Sequence, residues 1–528
     1  MASRYPMAEA VRAAYRAGEE DEALEPLVRV DGQGRPVGSI RDGDYVIFYD
    51  IRGEREVELT SAFVDPTFSA FPRSPGTVRF ATMIEYHPDL DVRVAFPPLE
   101  RLEGTLGEVV SRAGFSQAKV CESEKAIHVS FFLNGKSQDA FPGEERIIVP
   151  SPRPASHAEM PPQMSAAAVA GAAVEAIRSR EHALVTVNLC NVDVIGHIEN
   201  RDAIRTAVET VDAQAGRIVE AAMAAGMAIL VTADHGTVER WYYPDGAVDT
   251  GHTDSPVPLV LIDPVLGKGA RLRDGGALTD VAPTILQLLG LPQPSSMTGT
   301  SLLVPPLAGR EKGGGRVLLL ILDGWGLGDG GRGDLIAQAS TPVLDALQAE
   351  WPATRLRASG RAVGMPEGTV GNSEAGHLHI GAGRVVPADR VRIQQALEDG
   401  SFFENEAFRW AMQGARQAGT RLHLLGIVSF YSSHGSVDHL LALMEMARRE
   451  GVPEVYMHGM LGRRGERPES GAIYIEQVER EAERLGTGTL ATVIGRFWSL
   501  DREGHWDRIE KTYRMLVEGA GKPVPDLA

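Results

Sequence analysis

Long apolar runs that end in a polar motif recur along this chain. The clearest run, 317–322, consists only of Val, Leu and Ile and is followed by Asp323 and Gly324. Runs at 183–189 and 227–231 have a similar character and also precede polar motifs. Apolar runs of this length predict buried strands, and open α/β sheets place their chemistry at the carboxyl ends of parallel strands. The pattern therefore predicts an α/β fold with functional side chains just beyond these three runs.

Helical periodicity and further apolar runs account for much of the remaining chain. Ser165 and Thr279 each stand ahead of an Ala- or Leu-rich periodic run, where the N-cap of a helix is expected. Pro523 and Pro525 predict a frayed tail. The predicted helices cover 165–180, 201–225, 279–289 and 506–515, with another starting near Met7, and further strands are predicted at 45–49, 421–428 and 454–458.

The polar motifs contain carboxylate, imidazole and hydroxyl groups. Ser373, fifty residues beyond Asp323, lies in the Gly-flanked motif GNSEAGH. A serine in such a turn can approach a substrate closely, and a neighbouring metal can lower its pKa enough to make it a nucleophile. A single Asp-x-x-x-His string is more often a structural pair, but several such groups at strand ends predict metal-assisted phosphoryl transfer through serine. The other candidate ligands, which suit Mn²⁺, Zn²⁺ or Mg²⁺, are Asp193, His197, Asp234, His235 and His252.

Composition and charge narrow the class of protein. The chain has 528 residues, enough for roughly two to four domains. Its net charge is -18 at pH 7 without a basic run, which argues against a nucleic-acid partner. Cys121 and Cys190 suggest neither a disulfide framework nor a CxxC metal motif. With no apolar signal region and no apolar run of membrane-spanning length, we expect a cytoplasmic, monomeric enzyme with a small-molecule substrate.

Five motifs of this chain match a known family. They are LDGWG at 322–326, GNSEAGH at 371–377, DVIGH at 193–197, ADHG at 233–236 and GHT at 251–253. As a set they resemble the cofactor-independent (2,3-bisphosphoglycerate-independent) phosphoglycerate mutases, a branch of the alkaline phosphatase superfamily. The resemblance implies a glycolytic isomerase that interconverts 2- and 3-phosphoglycerate through a metal-activated phosphoserine intermediate, without 2,3-bisphosphoglycerate.

The same resemblance assigns roles to individual residues. It makes Ser373 the nucleophile and implies two divalent ions, with Mn²⁺ favoured and Mg²⁺ or Zn²⁺ as alternatives. The implied ligands are Asp193, His197 and His252 for one ion, and Asp323, Ser373, Asp234 and His235 for the other. Arginine forks bind carboxylate and phosphate oxygens bidentately, as a phosphorylated hydroxy acid requires. The implied substrate contacts are Arg52, Arg55, Lys125, His434, Arg464, Arg496 and Arg502.

The order of the motifs departs from the family. There the LDG strand lies at the N-terminus and the ADHG and HT motifs lie near the C-terminus, whereas here the latter motifs come first. This order resembles a circular permutation in which the Pro- and Gly-containing segment 305–315 joins the family's usual ends. We expect a two-domain protein, with an alkaline-phosphatase-like metal domain and an α/β substrate domain. The metal domain is expected at 101–310 and 316–388, the linker at 311–315, and the substrate domain at 1–100 and 389–528.

Two local departures leave the substrate open. Where the family usually has SDGGVHSH, this chain has SFYSSHGS at 429–436, and where the family has LDGRD, this chain has LGRRG at 461–465. The resemblance gives the second Asp of LDGRD a role in proton transfer to the glycerate hydroxyls, and Gly465 has no acid-base group unless Glu466 replaces it. The alternatives are a specialised mutase for a phosphonate analogue of phosphoglycerate and a metal-dependent phosphatase. A non-catalytic binding protein is disfavoured, because every predicted ligand and the nucleophile are present.

Overall fold

The computed structural model describes residues 4–73, 76–99, 101–305, 315–430, 434–462 and 470–525. The chain forms two compact units, the first from Met1–Pro98 and Arg392–Ala528, and the second from Leu99–Val391. In chain order the strands are β1 (Leu27–Val30), β2 (Tyr45–Phe48), β3 (Arg79–Ile84), β4 (Arg93–Phe96), β5 (Gln117–Glu122), β6 (Glu144–Val149), β7 (Leu184–Leu189), β8 (Ala228–Thr232), β9 (Val257–Ile262), β10 (Arg271–Leu272), β11 (Gly276–Ala277), β12 (Leu303–Val304), β13 (Val317–Leu322), β14 (Ala353–Arg357), β15 (Leu422–Ile427), β16 (Val455–Leu461), β17 (Thr489–Gly495) and β18 (Lys522–Pro525).

The helices alternate with these strands, as expected for an α/β protein. They are α1 (Pro6–Arg16), α2 (Gly53–Val64), α3 (Leu106–Arg112), α4 (Ala166–Ser179), α5 (Asn191–Gly196), α6 (Arg201–Ala224), α7 (Val281–Leu288), α8 (Pro342–Glu350), α9 (Ser373–Ala382), α10 (Asp389–Asp399), α11 (Glu406–Ala418), α12 (Val437–Arg449), α13 (Gly471–Leu485), α14 (Arg496–Ser499) and α15 (Trp506–Glu518). Short 3₁₀ turns occur at Asp21–Ala23, Ser123–Lys125, His157–Glu159, Leu278–Asp280, Gly360–Val363 and Ser401–Glu404, with a π-helical turn at His128–Phe132. Within the described ranges, no helix is both long and apolar enough to cross a membrane.

The sheet of the second unit has the order β11-β14-β9-β8-β13-β7-β5-β6. Its three middle strands, β8, β13 and β7, are parallel neighbours, and every residue of each is buried. Their carboxyl ends are in register, because Leu322 pairs with Leu189 and Ile321 pairs with Thr232. Burial on both faces explains why these strands are apolar throughout rather than alternating.

The sheet of the first unit has the order β18-β1-β17-β16-β15-β2-β3-β4. Strands β17, β16, β15, β2, β3 and β4 are mutually parallel, so the loops that follow them leave the sheet at one edge. A core of Leu, Ile, Val, Met and aromatic side chains covers this sheet and is separate from the core of the second unit. The two units therefore have their own sheets and their own hydrophobic cores.

The strands and helices predicted from the sequence are present at the predicted places, but one predicted helix start is wrong. Thr279 lies inside the 3₁₀ turn Leu278–Asp280, and α7 begins only at Val281. The side chain of Asp280 accepts hydrogen bonds from the backbone N–H groups of Ala277 and Thr300, which holds this segment in a tight turn. Ser165 does occupy the N-cap position of α4, yet its hydroxyl donates to a carbonyl elsewhere instead of capping the helix.

The predicted frayed tail is also corrected up to residue 525. Strand β18 pairs in parallel with β1, and Pro523 and Pro525 lie opposite Val28 and Val30. Proline lacks an N–H group and is tolerated in an edge strand, and β18 is an edge strand of its sheet. Residues 526–528, and residues 306–314 of the predicted linker segment, lie outside the described residues.

Candidate active site

Three carboxylates lie together at the carboxyl ends of the middle strands of the second unit. Asp323 directly follows β13, Asp234 lies two residues beyond β8, and Asp193 is in α5, just after β7. Because these strands are parallel neighbours in register, the residues that follow them meet at one edge of the sheet. All three side chains are buried. The sheet thus brings together acids that are far apart in the sequence.

Two glycines allow the backbone to pack tightly around these acids. Gly324 has a φ of 81°, and a Cβ at this position would lie 2.7 Å from the backbone nitrogen of Asp193. A Cβ on Gly376 would lie 2.5 Å from the carbonyl oxygen of Asp234. The glycines of the LDGWG and GNSEAGH motifs therefore permit the close approach of the loop after β13 and of helix α9.

Ser373 is the first residue of α9, and its hydroxyl points into the acidic cluster. Its Oγ lies 2.6 Å from Lys125 Nζ, 3.0 Å from His235 Nε2 and 3.2 Å from Asp323 Oδ1. The side chain of Asn372 caps the helix by accepting a hydrogen bond from the backbone N–H of Ala375. The amino end of a helix favours negative charge, so this serine is placed where an anionic phosphoryl group is stabilised.

Lys125 provides an ammonium group among the carboxylates. Its Nζ donates to Asp193 Oδ2 at 2.7 Å and to Asp323 Oδ1 at 2.8 Å. Burial alone lowers the pKa of Lys125, but Asp323, Asp193 and Asp234 outweigh burial and raise that pKa well above its usual value. In the same way burial opposes ionisation of Asp193 and Asp323, yet the nearby Lys125 keeps the pKa of each below its ordinary range. The cluster thus contains three carboxyl groups and one lysine.

His197 and His252 form a second part of the cluster with Asp193. His252 Nε2 lies 3.0 Å from Asp193 Oδ1, and His197 Nε2 lies 3.5 Å from the same oxygen. The Nδ1 atoms face backbone carbonyls, of Thr250 at 2.7 Å for His197 and of Gly371 at 3.0 Å for His252. When Nδ1–H donates to a carbonyl, Nε2 is left with a lone pair, which is the arrangement of a metal-ligating histidine.

These donors fit divalent cations. Three ligand atoms, one each from Asp193, His197 and His252, lie within 4.8 Å of one another. The same is true of one ligand atom each from Asp193, His235 and Asp323. Asp234 Oδ2 is buried and accepts no hydrogen bond from any residue that the structure describes, a costly arrangement unless a cation or proton compensates it. Carboxylates and imidazoles suit Mn²⁺ and Zn²⁺. A cavity of about 530 Å³ borders the cluster, and its walls include Lys125, Asp193, His197, His252 and Ser373.

Two polar residues of this site were not assigned from the sequence. His377 lies one helical turn beyond Ser373, with its Nδ1 3.2 Å from Asp234 Oδ2. Asn188 donates from Nδ2 to Asp323 Oδ2 at 2.8 Å, and this Nδ2 lies 3.0 Å from His377 Nε2. The i,i+4 spacing of Ser373 and His377 was the available signal for His377. For Asn188 the signal was a polar residue inside an apolar strand.

Glu239 also joins two loops of the site. Its buried carboxylate accepts a hydrogen bond from the backbone N–H of Thr237 at 2.8 Å and another from the hydroxyl of Thr253. Thr237 is two residues beyond His235, and Thr253 directly follows His252. Glu239 therefore fixes the relative positions of the two histidine-bearing loops.

The first unit contains the other predicted residues that the structure describes. Arg52 and Arg55 follow β2, and Arg496 directly follows β17. Arg496 bonds Glu22 at 3.0 Å, while Arg55 donates to the carbonyl of Leu500 at 3.1 Å. Arg52 and Arg502 share the carboxylate of Glu54.

His434 lies among these arginines. The charges of Arg496, Arg52 and Arg55 all act on its ring. The structure therefore gathers Arg52, Arg55, Arg496 and His434 at one edge of this sheet. The predicted contact Arg464, together with Gly465 and Glu466, lies outside the described residues.

Two protein-family models match this chain. The model of the Metalloenzyme superfamily matches residues 39–293. The model described as the BPG-independent PGAM N-terminus matches residues 393–527. The first match contains Asp193, His197, Asp234, His235 and His252, and the second contains His434, Arg496 and Arg502.

Sequence relatives agree with these models. The 2,3-bisphosphoglycerate-independent phosphoglycerate mutase of Thermomicrobium roseum is 43% identical over 58% of this chain and 59% of the relative. The enzyme of the same name from Syntrophotalea carbinolica is 42% identical over 56% of this chain and 57% of the relative. In both cases the chain spans less than two thirds of the relative's length. The crystal structure of Leishmania mexicana phosphoglycerate mutase at low cobalt concentration is 32% identical over 52% of this chain and 53% of that chain, with a TM-score of 0.38. Over the parts of the chain that they match, the two family models and the sequence relatives show similarity to the 2,3-bisphosphoglycerate-independent phosphoglycerate mutases.

Proposed function

We propose that this chain interconverts 2- and 3-phosphoglycerate through a phosphoserine formed at Ser373. The observation that carries the proposal is the position of Ser373 Oγ, within 3.2 Å of Lys125 Nζ, His235 Nε2 and Asp323 Oδ1. The names of the sequence relatives support the same activity.

The chemistry follows from the residues around the serine. As Ser373 Oγ forms a bond to phosphorus, the bond from phosphorus to the glycerate oxygen breaks. The ammonium group of Lys125, 2.6 Å from Oγ, offsets the negative charge that develops on the phosphoryl oxygens. Divalent cations held by the acids and histidines of this cluster would supply further charge neutralisation and Lewis-acid polarisation. The glycerate then takes the phosphoryl group back on its other hydroxyl.

We also propose that the second unit is the phosphatase-like metal domain and that the first unit holds the glycerate. The guanidinium groups of Arg52, Arg55, Arg496 and Arg502 support this division, because they suit a carboxylate. His434 and Arg464 are proposed to contact the glycerate, with Lys125 contacting the phosphoryl group. The two ion sites are proposed with the ligands named above, Asp193, His197 and His252 for one and Asp323, Ser373, Asp234 and His235 for the other.

Circular permutation is a further part of the proposal. The model described as an N-terminal part of the family matches the chain at residues 393–527, after the Metalloenzyme match at 39–293. In addition β13, which carries the LDG motif, comes after β7 and β8 in the sequence but lies between them in the sheet. Mn²⁺ as the bound metal and a monomeric state complete the proposal, and metal analysis with sedimentation analysis tests both.

The experiment measures conversion of 3-phosphoglycerate in the presence of Mn²⁺ together with phosphate release in the same sample. We expect 2-phosphoglycerate to accumulate with little free phosphate, and mass spectrometry to find phosphate on Ser373. Phosphate release without 2-phosphoglycerate would instead show a phosphatase. No reaction with either phosphoglycerate, but turnover of a phosphonate analogue, would show the specialised mutase.

A further inference from the structure

A second cluster of titratable groups lies in the first unit, away from the residues assigned to metal. Asp50 lies two residues beyond β2, Glu56 is in the first turn of α2, and His434 is in the segment between β15 and α12. One carboxylate oxygen of each acid and one ring nitrogen of His434 lie within 4.8 Å of one another. The three residues are at most 1% exposed. We refer to Asp50, Glu56 and His434 as the acid–histidine triad.

The hydrogen bonds of the triad fix its geometry. His434 Nδ1 lies 2.6 Å from Glu56 Oε1, and the carbonyl of His434 accepts a bond from the backbone N–H of Ile51. Asp50 Oδ1 accepts a bond from the backbone N–H of Ile427 at 2.8 Å. Among the residues that the structure describes, none donates a hydrogen bond to the buried Asp50 Oδ2. One carboxylate oxygen in the triad therefore has room for a proton.

Two buried acids so close together do not both ionise at neutral pH, because water cannot screen their repulsion. Burial raises the pKa of Asp50 well above its ordinary value and that of Glu56 to about 8. Burial also lowers the pKa of His434 to about 4, an effect that Asp50 opposes and that Arg496, Arg52 and Arg55 reinforce. The triad therefore keeps an acidic proton near neutral pH while its imidazole stays uncharged.

The surroundings favour a proton over a metal ion in the triad. The guanidinium groups of Arg52, Arg55 and Arg496 act on His434, and the phenols of Tyr49 and Tyr86 border the acids. A divalent cation here would be repelled by three positive charges. These arginines also suit the carboxylate of a hydroxy acid, which would bring a hydroxyl group close to His434.

We propose that the acid–histidine triad is a proton relay, in which His434 exchanges a proton with a glycerate hydroxyl and Glu56 stores that proton. Asp50 and Glu56 are positioning residues in this scheme, and His434 is the catalytic residue. The inference rests on the proposed mutase function, because a mutase must protonate one glycerate oxygen and deprotonate the other.

The relay conserves protons over one cycle. When the bond from phosphorus to the first glycerate oxygen breaks, that oxygen takes a proton from His434 Nε2 while Nδ1 takes one from Glu56. When the second hydroxyl attacks phosphorus, it gives its proton to Nε2, and Nδ1 returns a proton to Glu56. Ser373 releases its hydroxyl proton to solvent as its oxygen bonds phosphorus, and it takes a proton back from solvent when the phosphoryl group leaves. No proton is gained or lost overall.

The test compares Glu56→Gln, Glu56→Asp and the unaltered protein in two reactions over a range of pH. One reaction is the interconversion of phosphoglycerates, and the other is the reaction of Ser373 with p-nitrophenyl phosphate, whose leaving oxygen needs no proton. We expect Glu56→Gln to lower kcat for interconversion by about 10² to 10⁴-fold, with a changed pH profile and little change in KM. Glu56→Asp should recover part of the rate, and the aryl phosphate reaction should be unaffected.

Asp44→Asn is the matched control. Asp44 is also a buried acid bonded to a buried histidine, with its Oδ2 3.1 Å from His423 Nε2, but it precedes β2 and lies at the opposite edge of the sheet. Its loss should lower stability without changing the pH profile of interconversion. Infrared spectroscopy adds a measurement that needs no turnover, because a protonated carboxylic acid band should be present at pH 7 and absent in Glu56→Gln.

Several results would overturn the relay. One is an unchanged rate and pH profile in Glu56→Gln, and another is an equal loss in both reactions, which marks a structural role. A fall of one metal ion per chain in Glu56→Gln would show a cation site. An unaltered protein that hydrolyses aryl phosphate but does not interconvert phosphoglycerates would overturn the proposed function, and with it the relay. In that case the infrared band would still report the stored proton.

Discussion

Two clusters of buried acids and histidines lie at equivalent places, each at the carboxyl edge of a parallel sheet. One is the acid–histidine triad of the first unit. The other, which we call the Ser373 cluster, belongs to the second unit and consists of Lys125, Asp193, Asp234, His235, Asp323 and Ser373. The Ser373 cluster has three buried acids near one lysine, and Lys125 keeps two of them, Asp193 and Asp323, ionised. The triad has two buried acids and one imidazole beside three arginines, and burial keeps its acids protonated. The balance of charge around a cluster, rather than its residue types, thus decides whether it suits a metal ion or a proton.

The largest effect is expected from removing Ser373, the proposed nucleophile. Ser373→Ala should lower phosphoryl transfer by at least about 10³-fold, because no other group replaces the hydroxyl. Circular dichroism and metal analysis should show an intact fold that still binds metal. Ser111→Ala is the control, since the Ser111 hydroxyl lies at the surface and donates to the carbonyl of Pro142. Substantial turnover in folded Ser373→Ala would contradict the covalent mechanism.

Removing divalent ions should stop activity as well. The acids of the Ser373 cluster would then lack the charge neutralisation that phosphoryl transfer needs, whereas the triad should be unaffected. Chelation followed by readdition of Mn²⁺ should abolish and restore turnover, and His252→Gln should lower the metal content. His87→Gln, which removes an exposed histidine of the first unit, is the control. Full activity in protein shown to be metal-free would refute this expectation.

The role of Lys125 among the acids of the Ser373 cluster can be tested by measuring the free energy of unfolding. Lys125→Met should destabilise the metal-free protein by about 3–5 kcal/mol, because it leaves buried acids without their partner. Saturating Mn²⁺ should recover much of that loss, as measured by denaturant unfolding. Lys119→Met removes another buried lysine of the same unit, bonded to Asn134 and 3.4 Å from Glu144, and Mn²⁺ should not rescue it. Equal rescue of both variants would argue against a local cation site.

The contribution of the triad to the free energy of unfolding should depend on pH with the opposite sign to that of an acid whose ionised form is stabilised. The folded pKa of Glu56, about 8, is above its unfolded value, so its stabilising effect is complete below about pH 4.3 and is lost as the pH rises through 8. Within that window the free energy of unfolding of the unaltered protein should therefore fall by about 1.4 kcal/mol per pH unit as the pH rises. This fall should be absent in Glu56→Gln. Asp50 contributes to the pH dependence with the same sign, because burial also raises its pKa. The charges of Arg52 and Arg55 act on His434, the third member of the triad.

Asp44 provides the contrast. Burial opposes its ionisation, but bonds from His423 and from backbone N–H groups lower its pKa. Its contribution is therefore present above the unfolded pKa and lost as the pH falls. Asp44→Asn should flatten the acid side of the stability curve, and Glu56→Gln the neutral to alkaline side. Identical curves for the two variants would show that the triad does not store a proton.

The smallest effect is expected at Gly465. The family resemblance places a proton-transferring Asp at this position, so Gly465→Asp restores it. With the relay already in place, we expect interconversion to rise by less than about tenfold, well below the usual worth of a positioned acid-base group. Metal content should not change. A larger rise would show that the loop, rather than the triad, limits proton transfer.

The sequence predicted the Ser373 cluster better than the triad, for a physical reason. Asp323 and Asp234 follow apolar runs whose length and composition mark buried strands, so their position at a sheet edge could be predicted. Asp50 and Glu56 lie in a short loop and in the first turn of a helix, where acids are common for other reasons. Only the order of the strands, with β15 beside β2, brings His434 to them. Strand order is set by long-range packing, which no local pattern encodes.

Strand β13 has a consequence for how this protein folds during synthesis. It forms the middle of its sheet, between β8 and β7, yet the ribosome makes it after both of them. Until β13 emerges, β7 and β8 each expose an unpaired apolar edge that can pair with another chain. We therefore expect nascent chains released before residue 322 to aggregate or to engage chaperones, and the central sheet to close only when the segment that carries Asp323 is added.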